Sequence, residues 1–242
     1  YLFKIGRLPF KLSSEVYYKY LQDLITYTID NVRIIYSGEN DAVGYAVGID
    51  AKLSGEIVPG LESWLSFSLM KSMEDIKGDF FTVFLDSNHQ ATFDANERVS
   101  DSTIYPGYMP RLTDQRFSVN LFFQDKVPML PMLKAHINII YSTPLIYSIP
   151  GYSRGQFSFR GKAYFRADIG LSWQFINSAS ISNPKNPFRV FNAGYLSFEI
   201  FNIFDYYNTI SYTFVKDISG ETHRAPNYLT PRIYNAKLRF EF

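Results

Sequence analysis

The chain has 242 residues, with 24 Lys plus Arg against 23 Asp plus Glu, and it contains no cysteine. The near balance of charge gives no indication of a nucleic-acid partner, and the absence of cysteine excludes a disulfide framework and a thiolate metal site. Aromatic residues make up 18% of the chain, and no apolar run approaches the roughly 18 residues of a membrane-spanning helix.

Alternation of apolar and polar residues predicts strands along most of the chain. The opening YLFKI is predicted to be the end of one strand, and its start without Met or a signal-peptide pattern makes us expect a fragment or a processed chain. Further strands are predicted at 11–20, 45–54, 61–70, 116–124, 134–142, 165–175, 195–202 and 233–242. No helical period separates them, and FFTVF at 80–84 is expected to add a short extra strand.

The connections between these strands alternate in length. Those near 6–9, 58–60 and 126–132 are short, and the one near 178–190 is moderate. The connections near 28–42, 74–112, 148–160 and 205–230 are mostly longer and polar. Short turns at one end of the strands and long loops at the other end are typical of a transmembrane β-barrel.

The position of aromatic residues along the apolar faces separates a barrel from a soluble sandwich. Lipid-facing strands should carry aromatic residues at both interfaces and aliphatic residues between them. The long-loop end carries Tyr18, Tyr20, Tyr45, Tyr141, Phe165 and Tyr234, and the short-turn end carries Phe10, Phe123, Trp173, Phe175, Phe240 and Phe242. The residues between them are Val47, Ile49, Ile137, Ile139, Ile169, Leu171 and Ala236. The fold-class prediction is therefore an all-β chain of about eight antiparallel transmembrane β-barrel strands, forming one segment over residues 1–242.

The chain also resembles the C-terminal barrel strands of TonB-dependent outer-membrane receptors, in the branch with a carboxypeptidase-like regulatory domain. The resemblance is carried by FKLSSEVYYKYLQDLITYTIDNVRIIY, GYAVGIDAKLSG, VPGLESWLSFSLMKSMED, PRLTDQRFSVNLFFQDKVP, and EIFNIFDYYNTISYTFVKD with PNYLTPRIYNAKLRFEF. It implies the C-terminal third of a barrel of about 22 strands, without the plug domain. The ending RFEF, up to Phe242, is similar to the signal that the barrel-assembly machinery recognises.

The resemblance further implies a location and partners. The location is the outer membrane of a Gram-negative bacterium, crossed by many strands. The partners are the lipid bilayer, the remaining strands and plug of the same receptor, the TonB complex acting through that plug, and a surface lipoprotein. The implied function is uptake of a nutrient ligand, without enzymatic activity and without a cofactor.

Two other functions stay open at this point. One is a complete eight-stranded outer-membrane barrel that acts as an anchor or adhesin, because eight strands enclose an interior that side chains can fill. The other is a soluble β-sandwich that acts as a binding module. A part of a larger barrel should leave its sheet open, so we expect the strand at 10–20 to pair with YLFKI and not with 233–242.

Two motifs suggest catalysis or metal binding. GYSRG at 151–155 matches G-x-S-x-G, but Pro150 precedes it and a strand pattern follows, so we expect a polar turn and no nucleophile at Ser153. The acidic 74–112 loop offers calcium-type oxygen ligands without a glycine at EF-hand spacing, and we expect a solvated loop. Its ligand candidates are Asp86, Asn88, Asp94 and Asn96, and the histidines His89, His136 and His223 have no metal-ligand spacing.

The strongest candidates for function lie on the polar faces and in the last long loop. Charged residues on the polar faces are expected to line a lumen, among them Arg116, Arg166, Asp168, Glu199, Lys237 and Arg239. The 205–230 loop is rich in tyrosine, which suits capture of a ligand such as a sugar or peptide, although long loops also pack on each other. Its ligand-binding candidates are Tyr206, Tyr207, Tyr212, Arg224, Asn227 and Tyr228.

Overall fold

The computed structural model describes residues 1–6, 8–30, 33–58, 60–127, 129–177, 187–188 and 190–242. The strands of the first half are β1 (Leu2–Ile5), β2 (Leu8–Leu24), β3 (Tyr27–Asp30), β4 (Arg33–Tyr36), β5 (Ala42–Val58), β6 (Leu61–Ile76), β7 (Phe81–Leu85), β8 (Ser100–Ile104) and β9 (Met109–Pro110). Those of the second half are β10 (Phe117–Val127), β11 (Leu130–Ser142), β12 (Ile146–Ser148), β13 (Ser158–Arg160), β14 (Tyr164–Ile176), β15 (Ala193–Phe201), β16 (Thr209–Lys216), β17 (Thr222–Tyr228) and β18 (Ile233–Glu241). One 3-10 turn, Ala95–Glu97, interrupts them, and no helix of the described residues is long and apolar enough to cross a membrane.

One large antiparallel sheet dominates the described residues. Its strand order is β1-β2-β5-β6-β10-β11-β14-β15-β18, with the short β9 added beside β6. All eight predicted strand segments lie in this sheet, in chain order, so the all-β antiparallel prediction is confirmed. The predicted count of about eight strands is not confirmed, because the described residues form 18 strands, ten of them in this sheet and the others in the long loops.

On the apolar face, the cross-strand register places aliphatic residues opposite aliphatic ones and aromatic residues opposite aromatic ones. Aliphatic side chains share the middle of the strands, in the rows Val16–Ile49–Leu69 and Ile137–Ile169–Ile200. Aromatic side chains face each other nearer the long loops, in the pairs Tyr20–Tyr45 and Tyr141–Phe165. The apolar row is uncovered: Val16 is 76% exposed and Phe198 is 58% exposed. The alternation seen in sequence therefore produces one continuous, exposed apolar face.

A cluster of aromatic rings lies at the short-turn end of the same sheet. The ring of Phe191 lies 4.6 Å from that of Phe240 and 4.9 Å from that of Phe242. Phe240 also meets Phe175 edge-to-face at 5.9 Å. The last residue thus belongs to an aromatic group that joins β14, β18 and the segment before β15. The predicted connection near 178–190 lies mostly outside the described residues.

The sheet does not close on itself. β2 pairs with β1 on one side and β5 on the other, with Phe3 opposite Phe10, as expected for the YLFKI segment. β18 pairs with β15, and within the described residues the outer edges of β1 and β18 have no strand partner. The prediction of an open sheet is therefore confirmed, and the described residues do not form a closed eight-stranded barrel.

The long loops carry four small hairpins of their own. They are β3–β4, β7–β8, β12–β13 and β16–β17, and β7 confirms the extra strand predicted from FFTVF. Much of the buried apolar material lies where these loops pack together, including Met109, Leu112, Ile146, Tyr147 and Tyr212. The packed interior therefore concentrates at the loop end of the sheet, where it positions the groups described next.

Candidate functional site

A buried carboxylate joins the loop end of the sheet to a neighbouring hairpin. Asp114 is fully buried, and its Oδ2 accepts hydrogen bonds from Arg116 Nε at 2.6 Å and Arg160 Nη2 at 2.5 Å. Its Oδ1 accepts one from the backbone N–H of Ser72 at 2.8 Å. Arg160 also donates to the backbone carbonyl of Pro144 at 3.0 Å. The cluster therefore fixes β13 against the ends of β6 and β10.

A second buried carboxylate holds an arginine that is only partly satisfied. Glu74 Oε2 accepts from Arg111 Nε at 2.8 Å, and its Oε1 forms an ion pair with Arg154 Nη1. The Arg154 side chain is 8% exposed, yet its Nε and Nη2 have no hydrogen-bond partner among the residues that the structure describes. Buried guanidinium N–H groups are costly to leave unpaired. Arg154 therefore carries two buried N–H donors without a partner among the described residues, in a side chain that borders a cavity.

Three adjoining clefts open around the 149–158 segment, and we call them the loop clefts. The first, about 290 Å³, is lined by Arg154, Tyr108, Met109, Phe81 and Ser158 among others. The second, about 360 Å³, includes Phe81, Phe84, Phe93, Arg98, Tyr152, Gln156 and Phe157. The third, about 380 Å³, includes Ile149, Gln156, Phe157, Phe159, Phe214 and Arg224. Because neighbouring clefts share lining residues, they form one branched surface between three long loops.

Aromatic rings and arginines form the walls of the loop clefts. Phe157 meets Tyr152 edge-to-face at 4.8 Å and lies 5.6 Å from Phe93. The Arg98 guanidinium lies 4.0 Å over the ring of Phe84. Each cleft contains one arginine, and no aspartate or glutamate lines any of the three. The clefts are therefore lined mainly by apolar groups, with an arginine in each branch, of which Arg154 is already ion-paired with Glu74.

Of the six ligand candidates predicted in the 205–230 loop, one lines a loop cleft, beside Phe214 and Thr222 of the same loop. Arg224 lines the third cleft and stacks over Phe159 at 4.6 Å. Tyr212 is buried instead, 4.9 Å from the ring of Tyr147 and 5.2 Å from that of Phe159. Burial raises the pKa of Tyr147, whose hydroxyl donates to the backbone carbonyl of Ile210 at 3.1 Å. Tyr212 therefore supports the wall of the cleft from behind.

The other ligand candidates of that loop pack within it. Asn227 donates through Nδ2 to the hydroxyls of Ser211 and Thr213, at 2.9 Å each. Tyr207 and Tyr228 pack against each other with ring centroids 5.3 Å apart. Tyr206 meets Phe165 edge-to-face at 6.0 Å, at the end of the sheet. None of these four residues lines a loop cleft.

The predicted lumen residues lie mostly in pairs on the polar side. Arg166 Nε bonds Asp168 Oδ1 at 2.7 Å, and the backbone N–H of Asn202 bonds the same oxygen at 2.9 Å. Glu199 accepts from Asn235 Nδ2 at 2.8 Å. Of the remaining three, Arg116 is bonded to Asp114, and Arg239 pairs with Glu241 at 2.6 Å. Lys237 is exposed and lies opposite Ser197 on the neighbouring strand. A cleft of about 650 Å³ follows this polar side along β2, β5, β6 and β10.

The residues of the G-x-S-x-G motif and of the predicted calcium-type loop form hydrogen bonds within their own turns. Ser153 lies in a turn between β12 and β13, where its carbonyl accepts from the backbone N–H groups of Gln156 and Phe157, so no helix follows as in a nucleophile elbow. Asp86 Oδ1 accepts from the N–H groups of Asn88 and Gln90, and Asp94 caps the 3-10 turn. In the part of the chain that the structure describes, no three His, Asp or Glu side chains form a metal-binding group.

The sequence interpretation missed most of the cleft residues. Arg98, Arg154, Tyr152 and Phe157 were not predicted, although GYSRGQFSFR combines aromatic residues and arginines in one predicted loop. This combination of aromatic residues and arginines was the one feature of the sequence that pointed to a binding surface in this loop. It gave no indication that the 81–98 and 149–158 segments meet in space.

The described residues thus define an all-β protein with one large open antiparallel sheet and an arginine-containing cleft system among its long loops. Comparison of the chain with protein-family models, curated proteins and solved structures finds no match. A functional assignment therefore rests on the residues and geometry of this chain.

Proposed function

We propose that this chain is the C-terminal part of the barrel of a TonB-dependent outer-membrane importer, which binds a nutrient ligand and moves it across the outer membrane. One observation carries the proposal. The open sheet exposes an apolar face with aliphatic rows at mid-strand and aromatic residues at both ends. This arrangement matches the lipid-facing surface of a barrel, in which aromatic residues lie at the two interfaces.

The exposure of this face supports a lipid environment. Soluble monomers rarely expose contiguous apolar patches beyond a few hundred Å². Here the exposed apolar side chains recur on strand after strand, from Val16 through Ile49 and Leu69 to Leu171 and Phe198. Exposing this apolar surface to water has a large cost in free energy, which contact with hydrocarbon avoids.

The open edges support a larger barrel. Each unsatisfied backbone group in hydrocarbon costs several kcal/mol, so a spanning sheet needs strand partners at both edges. The outer edges of β1 and β18 lack such partners within the described residues. Further strands of the same receptor would complete both edges, and this favours the importer over the small anchor or adhesin.

The polar face supports an interior filled with water and a plug. Asp168, Glu199 and their partners keep charged groups on the side opposite the apolar rows. Such groups face water or another polar surface in a barrel lumen. The plug and the TonB complex would act from this side, and Phe242 would serve assembly at the short-turn end. An exposed loop residue such as Tyr105 would meet a surface lipoprotein.

The location of the intact protein in cells tests this proposal. We expect the protein in the outer-membrane fraction of a density gradient, retained there after washing with urea and released by detergent. A soluble β-sandwich binding module, the remaining alternative, predicts release without detergent. Recovery in the soluble fraction would contradict the proposed function.

A further inference from the structure

We propose that the three loop clefts bind an acidic peptide with apolar side chains, which would be the ligand class of the importer. Its role in uptake rests on the proposed function above. Binding itself rests on the clefts alone, since they lie among the loops and not on the apolar face.

The charge of the clefts points to an anionic ligand. The chain has nearly as many acidic as basic residues, yet the clefts hold three arginines and no carboxylate. Among the described residues, Arg98 and Arg224 have aromatic partners and no carboxylate within 4 Å. Guanidinium groups bind carboxylates with short, strong hydrogen bonds. Each branch therefore offers one position for a carboxylate.

Arg154 gives an independent reason. Glu74 pairs with Nη1, and Nε and Nη2 have no partner in the described part of the chain although the side chain is nine-tenths buried. Native structures rarely leave buried donors unpaired unless a further group satisfies them. Arg154 borders the first cleft. A carboxylate that enters this cleft, with a small shift of the guanidinium, would satisfy both donors.

The cleft walls favour a peptide over a sugar. Rings and aliphatic side chains make up most of the lining, and its uncharged polar groups are one amide, Gln156, and a few hydroxyls, those of Thr82, Thr92, Ser158, Thr222, Tyr108 and Tyr152. A sugar needs many polar partners for its hydroxyls, because each buried polar group left unpaired is costly. An acidic peptide would instead place aromatic or aliphatic side chains against the rings and carboxylates on the arginines.

The experiment uses the intact protein in detergent and titration calorimetry. The probe is a capped seven-residue peptide that alternates glutamate and phenylalanine, and its control has glutamine in place of glutamate. We expect the acidic peptide to bind about tenfold more tightly, because ion pairs with exposed arginines contribute a few-fold each and several of them add together. Added salt should weaken this binding.

Matched variants locate the binding site. Arg98→Gln and Arg224→Gln remove one exposed guanidinium each, without disturbing the buried Glu74 network. Each should weaken binding of the acidic peptide several-fold and leave the glutamine peptide unchanged. Arg33→Gln, which removes an exposed arginine from the separate β3–β4 hairpin, is the control and should change nothing.

Three results would overturn the proposal. They are equal affinity for the two peptides, unchanged affinity in both cleft variants, and tighter binding of an acidic oligosaccharide such as trigalacturonate. This assay requires folded protein and no particular cellular location. Loss of peptide binding with retained membrane location would remove the ligand class alone, whereas binding by a soluble protein would remove the importer and keep the cleft.

Discussion

Asp114 and Arg160 form an ion pair with 2.5 Å between Oδ2 and Nη2, although 46 positions separate them in the chain. The pair joins the start of β10 to the β12–β13 hairpin, beside the loop clefts. The carboxylate is fully buried, whereas the two arginines that donate to it are partly exposed. This contact therefore determines how the 149–158 segment lies on the sheet.

The first prediction concerns this carboxylate. Asp114→Asn keeps the shape but removes the charge and turns one acceptor into a donor, which then faces either the two guanidinium groups or the backbone N–H of Ser72. We expect the free energy of unfolding to fall by about 2 kcal/mol, the usual contribution of hydrogen bonds to a charged group. Chemical unfolding in detergent measures it. Asp101→Asn, on the exposed part of β8, should have no measurable effect, and equal effects would contradict the assigned role.

The second prediction concerns the tip of the β16–β17 hairpin. Asp217 Oδ1 accepts from the Ser219 hydroxyl at 2.6 Å and from the N–H groups of Ser219 and Glu221, and His223 Nε2 lies 2.9 Å from Oδ2. These bonds, first that of the Ser219 side chain, lower the pKa of Asp217 from 3.8 to about 2. A carboxyl with a lowered pKa stabilises its turn fully above its ordinary value, and this contribution is lost as pH falls through the lowered value.

Carbon-13 NMR of labelled aspartate measures this titration. The Asp217 carboxyl should titrate near pH 2, and Ser219→Ala should move the midpoint upward. A midpoint close to 3.8 in the unmodified protein would show that the turn does not form as described.

The third prediction separates lipid from water at the apolar face. Leu171 is 48% exposed on this face, while Ser172 next to it lies on the polar face and accepts from Ser197 at 2.9 Å. Leu171→Arg should lower the stability of the protein folded into bilayers by about 2–4 kcal/mol. Ser172→Arg should cost about 1 kcal/mol, the contribution of one hydrogen bond.

The comparison between Leu171→Arg and Ser172→Arg shows whether the apolar face meets lipid or water. On a soluble sheet, an exposed substitution such as Leu171→Arg usually changes stability by less than about 0.5 kcal/mol. A small effect at position 171 would therefore favour the soluble binding module.

The fourth prediction concerns Ser153. Its turn holds no catalytic base and is followed by β13. We expect a serine-reactive fluorophosphonate probe to leave Ser153 unlabelled, because an unactivated hydroxyl is a weak nucleophile. Mass spectrometry of the treated protein detects labelling, and a covalent adduct at Ser153 would restore the hydrolase interpretation.

The strands could be predicted from sequence because alternation is a local property. In β11 and β14 the alternation between adjacent residues indicates which side chains lie on the apolar face, so the sequence predicts the apolar rows. The register between neighbouring strands could not be predicted from sequence, because the alignment of Ile137 with Ile169 and Ile200 depends on turns and bulges.

The site was harder to predict because its contacts are not local. Arg154 and Glu74 are 80 positions apart (154 − 74), and no pattern in either segment indicates the other. Tyrosine content also failed as a guide to exposure: Tyr212 was expected to meet a ligand, but it is buried against Tyr147. A tyrosine-rich loop supplies both packing and contact surface, and sequence alone did not separate the two roles.

The two tryptophans test the central claim that the apolar face meets lipid. Trp173 is 49% exposed on the apolar face, whereas Trp64 lies on the polar face between Phe122 at 6.1 Å and Lys52 at 5.0 Å. The protein is reconstituted with brominated lipids, which quench nearby tryptophan fluorescence, as the Trp64→Phe and Trp173→Phe variants. We predict strong quenching of Trp173, the reporter in Trp64→Phe, and little quenching of Trp64. Equal quenching of both tryptophans, or quenching of neither, would contradict the account.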